Sequence, residues 1–187
     1  MNLRGREDVA KFVEDDEWMM NILRTVSKLN LPDWWIGAGF VRNRIWDALH
    51  GYDKNTPLAD IDVVYYDKED DSEETEKEIE KNLESLMPDI PWSVKNQARM
   101  HEMYGVSQYS SSEEAISRWV ETPTCIGVSL KGDNVVVTGS DSVVGDVVNL
   151  TVRKNPDSPY IPKEVYEKRV KGKNWKRIWP KLNIIWD

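Results

Sequence analysis

The chain has 187 residues, 40% of them hydrophobic and 31% charged, and it carries a formal net charge of −8. This length suits one full hydrophobic core, and the acidic balance argues against a nonspecific nucleic-acid-binding protein. A single cysteine, Cys125, excludes an internal disulfide and a cysteine-based zinc cluster. Because there is no run of 18 apolar residues and no secretory pattern at the N-terminus, we expect no membrane contact and a cytoplasmic location.

Apolar spacing and turn residues divide the chain into alternating helices and strands. In chain order the prediction is helix 7–29, strand 34–36, helix 40–49, strand 61–66, helix 71–87, strand 92–95, helix 113–120, a hairpin of strands 124–130 and 134–138, and helix 163–171. Residues 96–105 are either helical or irregular, and residues 141–152 form either a short helix or a strand. The expected fold class is α/β (α+β): a small mixed β-sheet with flanking helices, plus a C-terminal hairpin and helical extension.

Two carboxylates stand at the start of the predicted strand 61–66. Asp60 and Asp62 are two positions apart, and side chains with that spacing on a strand point to the same face. Carboxylate oxygens are hard ligands that suit Mg²⁺ or Mn²⁺, and two together can hold a metal-bound phosphate. We therefore predict that Asp60 and Asp62 ligate a metal. The alternative is a pair of surface charges at the start of an edge strand.

A turn of small residues lies upstream of these carboxylates. The sequence Gly37, Ala38, Gly39 connects the predicted strand 34–36 to the next predicted helix. Small residues at such a turn let the backbone approach a phosphate, and the helix N-terminus adds its unpaired N–H groups. Arg42, near the start of the helix, is placed to reach phosphate oxygens. Its alternative role is a salt bridge to an acidic neighbour.

These motifs resemble those of the nucleotidyltransferase superfamily, which includes DNA polymerase β and the CCA-adding enzymes. A closer resemblance, over most of the chain, is to a family of small bacterial nucleotidyltransferase-like proteins. The superfamily counterparts are Ala38-Gly39, Val41-Arg42-Asn43 and Asp60-Ile61-Asp62. The marks of the closer family are Ala38-Gly39 through Arg42-Asn43, Trp46-Asp47-Ala48-Leu49-His50-Gly51, Asp60-Ile61-Asp62-Val63-Val64-Tyr65-Tyr66-Asp67 and Asn96-Gln97-Ala98-Arg99-Met100-His101.

The resemblance implies an NTP substrate and a catalytic role for the carboxylate pair. Asp60 and Asp62 would hold Mg²⁺ or Mn²⁺, while the triphosphate would be held around Ala38, Gly39 and Arg42.

The chain departs from the superfamily pattern at three places. Ala38 stands where the first glycine is usual, and Asn43 stands where an aspartate is usual. The third carboxylate of active members lies on a later strand, whereas the candidate strand 91–96 contains none.

A polar cluster follows the predicted strand 92–95. By the resemblance, Asn96 and Arg99 are predicted to contribute to nucleotide binding by orienting the triphosphate or the acceptor. His101 is a candidate proton acceptor near neutral pH. The alternative is that this cluster forms a hydrogen-bonded network that holds two layers of the fold together.

The charge of the chain is unevenly distributed. Residues 66–90 contain eleven acidic and three basic side chains, whereas residues 153–183 contain ten basic and three acidic ones. The basic segment interleaves Lys173 with Trp175 and Trp179, a combination that can hold a phosphate backbone and stack on a base. An RNA contact through 153–183 is therefore one interpretation, and docking on the acidic remainder of the same chain is the other.

The chain is predicted to comprise a nucleotidyltransferase-like core, residues 1–106, and a C-terminal extension, residues 107–187, packed on that core. The functional hypothesis is metal-dependent transfer of a nucleoside monophosphate from an NTP to an unidentified acceptor. The alternative is a catalytically inactive nucleotide- or RNA-binding domain of the same fold. A third interpretation is a protein-interaction partner that uses the acidic helix 71–87.

Overall fold

A computed structural model describes residues 3–186. Met1 and Asn2 of the predicted core 1–106, and Asp187 of the predicted extension 107–187, lie outside this range. Within it, no helix is both long and apolar enough to cross a membrane. The helices are α1 (Arg6–Glu14), α2 (Glu17–Ser27), α3 (Gly39–His50), α4 (Glu73–Leu86), α5 (Ser112–Ser117), α6 (Asp141–Val148), α7 (Lys163–Lys173) and α8 (Trp175–Ile178). The strands are β1 (Trp35–Gly37), β2 (Ile61–Tyr65), β3 (Trp92–Asn96), β4 (Gly127–Lys131), β5 (Asn134–Thr138), β6 (Thr151–Val152) and β7 (Asn183–Ile184).

Five strands form one mixed sheet in the order β3-β2-β1-β4-β5. Strands β2 and β3 are parallel and are joined through α4, whereas β1 is antiparallel to both of its neighbours. Helices α1, α2, α3 and α4 each pack against strands of this sheet. The predicted mixed sheet with flanking helices is confirmed, and so is the hairpin, which β4 and β5 form.

The predicted single helix 7–29 is wrong, because the structure contains two helices there. α1 ends at Glu14, and α2 begins at Glu17. Asp16 caps α2, since its side chain accepts a hydrogen bond from the backbone N–H of Met19 at 3.0 Å. An aspartate at this position satisfies an otherwise unpaired N–H of the first turn, so a new helix starts without interrupting the apolar stripe.

The two regions with open predictions also take definite forms. Residues 96–105 are mostly turns with a short 3-10 helix at Glu102–Tyr104. Residues 141–152 contain both alternatives, because α6 is followed by the short strand β6.

The C-terminal segment is anchored in the core by tryptophans. Trp175 and Trp179 are buried, and both rings meet the ring of Trp46 on α3 edge-on, with centroids 5.5 and 5.1 Å away. The indole N–H of Trp179 also donates a 2.7 Å hydrogen bond to the buried carboxylate of Asp47. These two tryptophans are therefore core residues that are not exposed for stacking on an RNA base. They fit the interpretation in which segment 153–183 docks on the remainder of the same chain.

Strands from both sides of the predicted boundary at residue 106 belong to the same sheet. β1, β2 and β3 come from residues 1–106, whereas β4 and β5 come from residues 107–187. The hairpin of the predicted extension thus completes the sheet of the predicted core.

A buried carboxylate joins α4 to β3. Glu76 is fully buried and accepts hydrogen bonds from the Arg99 guanidinium at 2.8 and 2.9 Å, from the backbone N–H of Asn96 at 2.8 Å and from Lys95 Nζ at 2.9 Å. A buried charge is tolerated when it is paired and hydrogen-bonded in this way. Glu76 therefore fixes α4 to the strand beside it.

Replacing Glu76 should destabilise the protein strongly. We expect Glu76→Gln to lower the free energy of unfolding by about 3 kcal/mol, because Arg99 would lose its charged partner inside the fold. Urea unfolding measures the effect. Glu74→Gln, at an exposed position of the same helix, is the matched control and should change stability by less than about 0.5 kcal/mol. Equal stabilities of the two variants would contradict this role.

Candidate active site

The predicted carboxylate pair lies at one cavity. Asp60 immediately precedes β2 and Asp62 is the second residue of that strand. Both line a cavity of about 470 Å³ together with Val64, as alternate residues on one face of a strand should. Asp60 is exposed and Asp62 is half-buried, so the pair stands where the sheet edge meets solvent.

The environment of Asp62 raises its pKa to about 6, mainly because burial disfavours the charged form and secondly because Asp60 is a like charge nearby. Arg42, Lys173 and a hydrogen bond from Ser93 act in the opposite direction without offsetting these causes. Two carboxylates in one partly dry cavity favour a cation between them.

Ser93 occupies the position across from Asp62 on the parallel neighbour β3. Among residues 3–186, no group of three or more His, Cys, Asp or Glu side chains is arranged to hold a metal. The site therefore offers a metal two carboxylates and no third acidic ligand from the described chain. Mg²⁺ accepts such a site, since it usually binds through one or two carboxylates and takes its remaining ligands from waters and substrate phosphates.

The turn before α3 forms another wall of the cavity. Ala38 has a φ of 49° and a ψ of −115°, a conformation that a Cβ disfavours. Helix α3 begins at Gly39. A Cβ built on Gly39 would lie 3.5 Å from Arg42 Nη2 and 3.4 Å from Leu58 Cδ2, so a side chain there would fill space beside the guanidinium. The turn thus leaves α3's N-terminus open to an anion.

Arg42 is buried with part of its hydrogen-bonding capacity unused. Its Nε and Nη2 donate to the neutral amide oxygen of Asn43 at 3.1 and 2.9 Å, and no partner within the described chain reaches Nη1. The guanidinium carbon lies 4.4 Å from the ring centroid of Trp175 and 5.2 Å from that of Trp46. Burial lowers the pKa of Arg42 to about 10, although Glu121 and Asp62 act to raise it. An anionic ligand would supply the missing acceptor and counter-charge.

The alternative role of Arg42, a salt bridge to an acidic neighbour such as Asp47, is not seen among residues 3–186. Asp47 instead accepts hydrogen bonds from the backbone N–H and hydroxyl of Thr56 at 2.7 and 2.6 Å. Asp47 thereby holds the loop before Asp60 against α3, and residues 56–60 of this loop line the cavity.

Two residues predicted to bind nucleotide, Asn96 and Arg99, do not line the cavity. Asn96 is fully buried, and its amide bonds the backbone of Asp67, Asp70 and Ala98. Arg99 is committed to Glu76. A buried carboxylate on α4 draws this segment into the hydrogen-bonded network that was the alternative interpretation, and nucleotide binding by Asn96 and Arg99 stays a prediction.

Several cavity residues were not singled out for nucleotide binding from sequence. Lys95 comes from β3, while Arg169, Lys173 and Trp175 come from the C-terminal segment. The only sequence signal was the interleaving of basic and aromatic residues in 153–183. It indicated a phosphate-binding surface, but not one that faces this cavity.

The strained turn predicts whether a glycine at position 38 raises or lowers the free energy of unfolding. We expect Ala38→Gly to raise the free energy of unfolding by about 1 kcal/mol, because glycine relieves the unfavourable φ at a smaller cost in chain entropy. Thermal or urea unfolding provides the measurement. Ala48→Gly, inside helix α3 that follows the turn, is the matched control and should lower stability by about 1 kcal/mol. Destabilisation by both substitutions would mean that Ala38 is not strained.

The electrostatics of the pair can be measured directly. A ¹³C NMR titration of the metal-free protein should give Asp62 a pKa of about 6. In Asp60→Asn this pKa should fall, because the like charge that helps to raise it is gone. Since a raised pKa means that the folded state binds the proton more tightly, this group's contribution to stability is lost as pH rises from about 4 to 6. An unchanged pKa in the variant would show that the carboxylates do not interact.

Comparison with known proteins agrees with this geometry. The sequence profile of a family described as nucleotidyltransferase matches residues 24–184. No protein of curated function matches the sequence. An NMR structure described as revealing a CCA-adding enzyme head domain is similar with a TM-score of 0.85 and 29% identity, over 98% of this chain and 97% of that one.

Two CCA-adding enzymes share the fold over part of their length. The Thermotoga maritima enzyme complexed with tRNA is 12% identical with a TM-score of 0.55, and a CCA-adding enzyme in complex with ATP is 13% identical with a TM-score of 0.51. The match covers 99% and 95% of this chain but 43% and 48% of theirs, so the chain spans less than half the length of these enzymes. With a profile match over most of its length and the fold of a head domain, the chain belongs to the nucleotidyltransferase family.

Proposed function

We propose that the protein is a metal-dependent nucleotidyltransferase that moves a nucleoside monophosphate from an NTP to a hydroxyl acceptor. The observation that carries this proposal is the convergence of Asp60, Asp62, the Ala38-Gly39 turn and Arg42 on one cavity. The carboxylates suit a divalent cation, while the turn and the arginine suit phosphate oxygens. Family membership supports nucleotidyl transfer as the general chemistry.

Asp60 and Asp62 are the proposed ligands of Mg²⁺ or Mn²⁺. Such an ion, when bound, supplies positive charge that offsets the charge developing on the phosphate oxygens. Its binding would also relieve the repulsion that raises the pKa of Asp62. The shortage of protein ligands fits a cation that reaches the site together with the triphosphate.

The remaining work of the chain is to position the nucleotide. In the proposed reaction the acceptor oxygen bonds to the α-phosphorus, the bond from that phosphorus to the pyrophosphate breaks, and the hydroxyl proton passes to solvent. Backbone N–H groups at the start of α3 would contact phosphate oxygens, and the positive charge of Arg42, which lines the cavity, would offset their negative charge. Burial of Arg42 beside two tryptophans keeps its guanidinium in place before the substrate arrives, which reduces the reorganisation required.

The similar structures support an NTP as the donor. One CCA-adding enzyme of this fold was solved with ATP, and another with tRNA. We extend the nucleotide to this chain because its own cavity supplies phosphate-binding groups.

A second candidate is a catalytically inactive nucleotide- or RNA-binding domain. Ser93, which stands beside Asp62 where a carboxylate would complete an acidic triad, favours it. In that case the exposed cations of the 153–183 segment, Lys173, Lys176 and Arg177, would matter more than Asp60. RNA binding would then need no metal and would weaken steeply with salt.

Thermal unfolding with each of the four NTPs, with and without Mg²⁺, tests the proposal. The preferred NTP at about 100 times its dissociation constant should stabilise the wild type by about 2.7 kcal/mol when Mg²⁺ is present. Asp60→Asn and Asp62→Asn should lose the Mg²⁺-dependent part, and their turnover should fall by at least about 100-fold, since each loses charge at the metal.

Asp53→Asn provides the control, because Asp53 is exposed in the same loop but does not line the cavity. It should behave as the wild type does. Retained turnover in both site variants would exclude the proposed metal mechanism. Metal-independent RNA binding without any NTP effect would favour the second candidate.

A further inference from the structure

Two basic side chains reach the cavity from α7, outside the predicted core. Arg169 and Lys173 are four residues apart, so they lie on the same face of the helix. Both line the cavity that contains Arg42, Asp60 and Asp62, and both remain exposed to solvent at its edge. A ligand entering the cavity would therefore meet them.

Within the described chain, only one of the cations Arg42, Arg169 and Lys173 is hydrogen-bonded to a carboxylate. Arg169 is paired, since its Nε donates to the fully buried carboxylate of Glu121 at 2.8 Å. Arg42 makes its hydrogen bonds to a neutral amide. The contact recorded for Lys173 Nζ is with the ring of Trp175, 5.3 Å from its centroid. Among residues 3–186, Glu121 is thus the one carboxylate hydrogen-bonded to any of these three cations, and it contacts Arg169 alone.

The ring of Trp175 keeps Arg42 and Lys173 near each other. Trp175 lies next to both Arg42 and Lys173, with 4.4 Å from the guanidinium carbon to the ring centroid. Burial and the nearby Arg42 lower the pKa of Lys173, which shows that its charge is disfavoured here. An anion with several charges would remove that penalty.

The cavity has opposite charges that suit the two parts of a metal-bound polyphosphate. Asp60 and Asp62 suit a divalent cation, whereas Arg42, Arg169 and Lys173 suit phosphate oxygens. We propose that Arg169 and Lys173 bind the β- and γ-phosphates of the nucleotide, so that α7 distinguishes a triphosphate from a monophosphate. This inference rests on the proposed function, and it makes the C-terminal segment part of the nucleotide site.

The inference predicts a change in selectivity as well as a loss of affinity. A nucleoside monophosphate lacks the β- and γ-phosphates, so removing the charge of Lys173 should leave its binding nearly unchanged. Binding of the triphosphate should weaken by about tenfold, the usual effect of losing one charge-assisted hydrogen bond. The ratio of the two dissociation constants is therefore the informative quantity.

Isothermal titration calorimetry with Mg²⁺, the NTP that gives the largest thermal shift, and its monophosphate measures this ratio. Lys173→Met should reduce the preference for the triphosphate by about tenfold, and Lys173→Arg should restore most of it because the charge returns. Lys171→Met is the matched control on the same helix, since Lys171 is exposed, pairs with Glu167 and does not line the cavity. The control should keep the preference of the wild type.

The possible failures are distinguishable. If the wild type binds the NTP and Lys173→Met retains the same preference while folded, the assignment of α7 is wrong and the proposed function stands. An equal loss of preference in Lys171→Met would reduce the effect to general surface charge and would also overturn the assignment. Absence of NTP binding by the folded wild type would contradict the proposed function and this inference together.

Discussion

The burial of Arg42 is the interaction on which the arrangement of the site depends. A guanidinium is costly to bury without a charged partner, and here it lies beside Trp46 and Trp175 and bonds the amide of Asn43. Trp46 belongs to the helix that follows the glycine turn, whereas Trp175 belongs to the C-terminal segment. One side chain therefore connects the Ala38-Gly39 turn to a segment more than 130 positions away in sequence.

This connection explains why the cavity has walls from both ends of the chain. The packing of Trp175 and Trp179 against α3 brings α7 to the cavity edge, and Asp47 fixes both Trp179 and the loop that leads to Asp60. Hydrophobic burial thereby places cations opposite carboxylates. The resulting separation of charge within one cavity is what a metal-bound polyphosphate requires.

Local sequence patterns predicted the elements that carry the carboxylates and the turn, because strand alternation and small residues are local properties. They missed the break between α1 and α2, because the cap that Asp16 forms at the start of α2 leaves the apolar stripe continuous. The pairing of Arg99 with Glu76 was not foreseen, because Glu76 is one acidic residue among many on α4 and no periodicity distinguishes the buried one. The contributions of Arg169 and Lys173 depend on tertiary packing of the C-terminal segment, which composition indicated only as a charged surface.

Ala38 and Asn43, the two departures from the superfamily pattern around the turn, have a consistent physical interpretation. An asparagine at position 43 gives Arg42 a neutral acceptor instead of a carboxylate, so the guanidinium keeps its charge available for a ligand. At position 38, alanine occupies a backbone conformation that glycine would adopt more easily. Both residues preserve the shape of the turn while changing the electrostatics or the strain of the unliganded protein.

A crystal structure with Mn²⁺ and a non-hydrolysable NTP analogue tests the central claim most directly, because the anomalous signal of manganese locates the ion independently of the nucleotide. We predict a manganese peak at the Asp60 and Asp62 carboxylates, with triphosphate oxygens in contact with the N-terminus of α3 and with Arg42. Manganese bound elsewhere, or a nucleotide whose phosphates lie outside this cavity, would contradict the account.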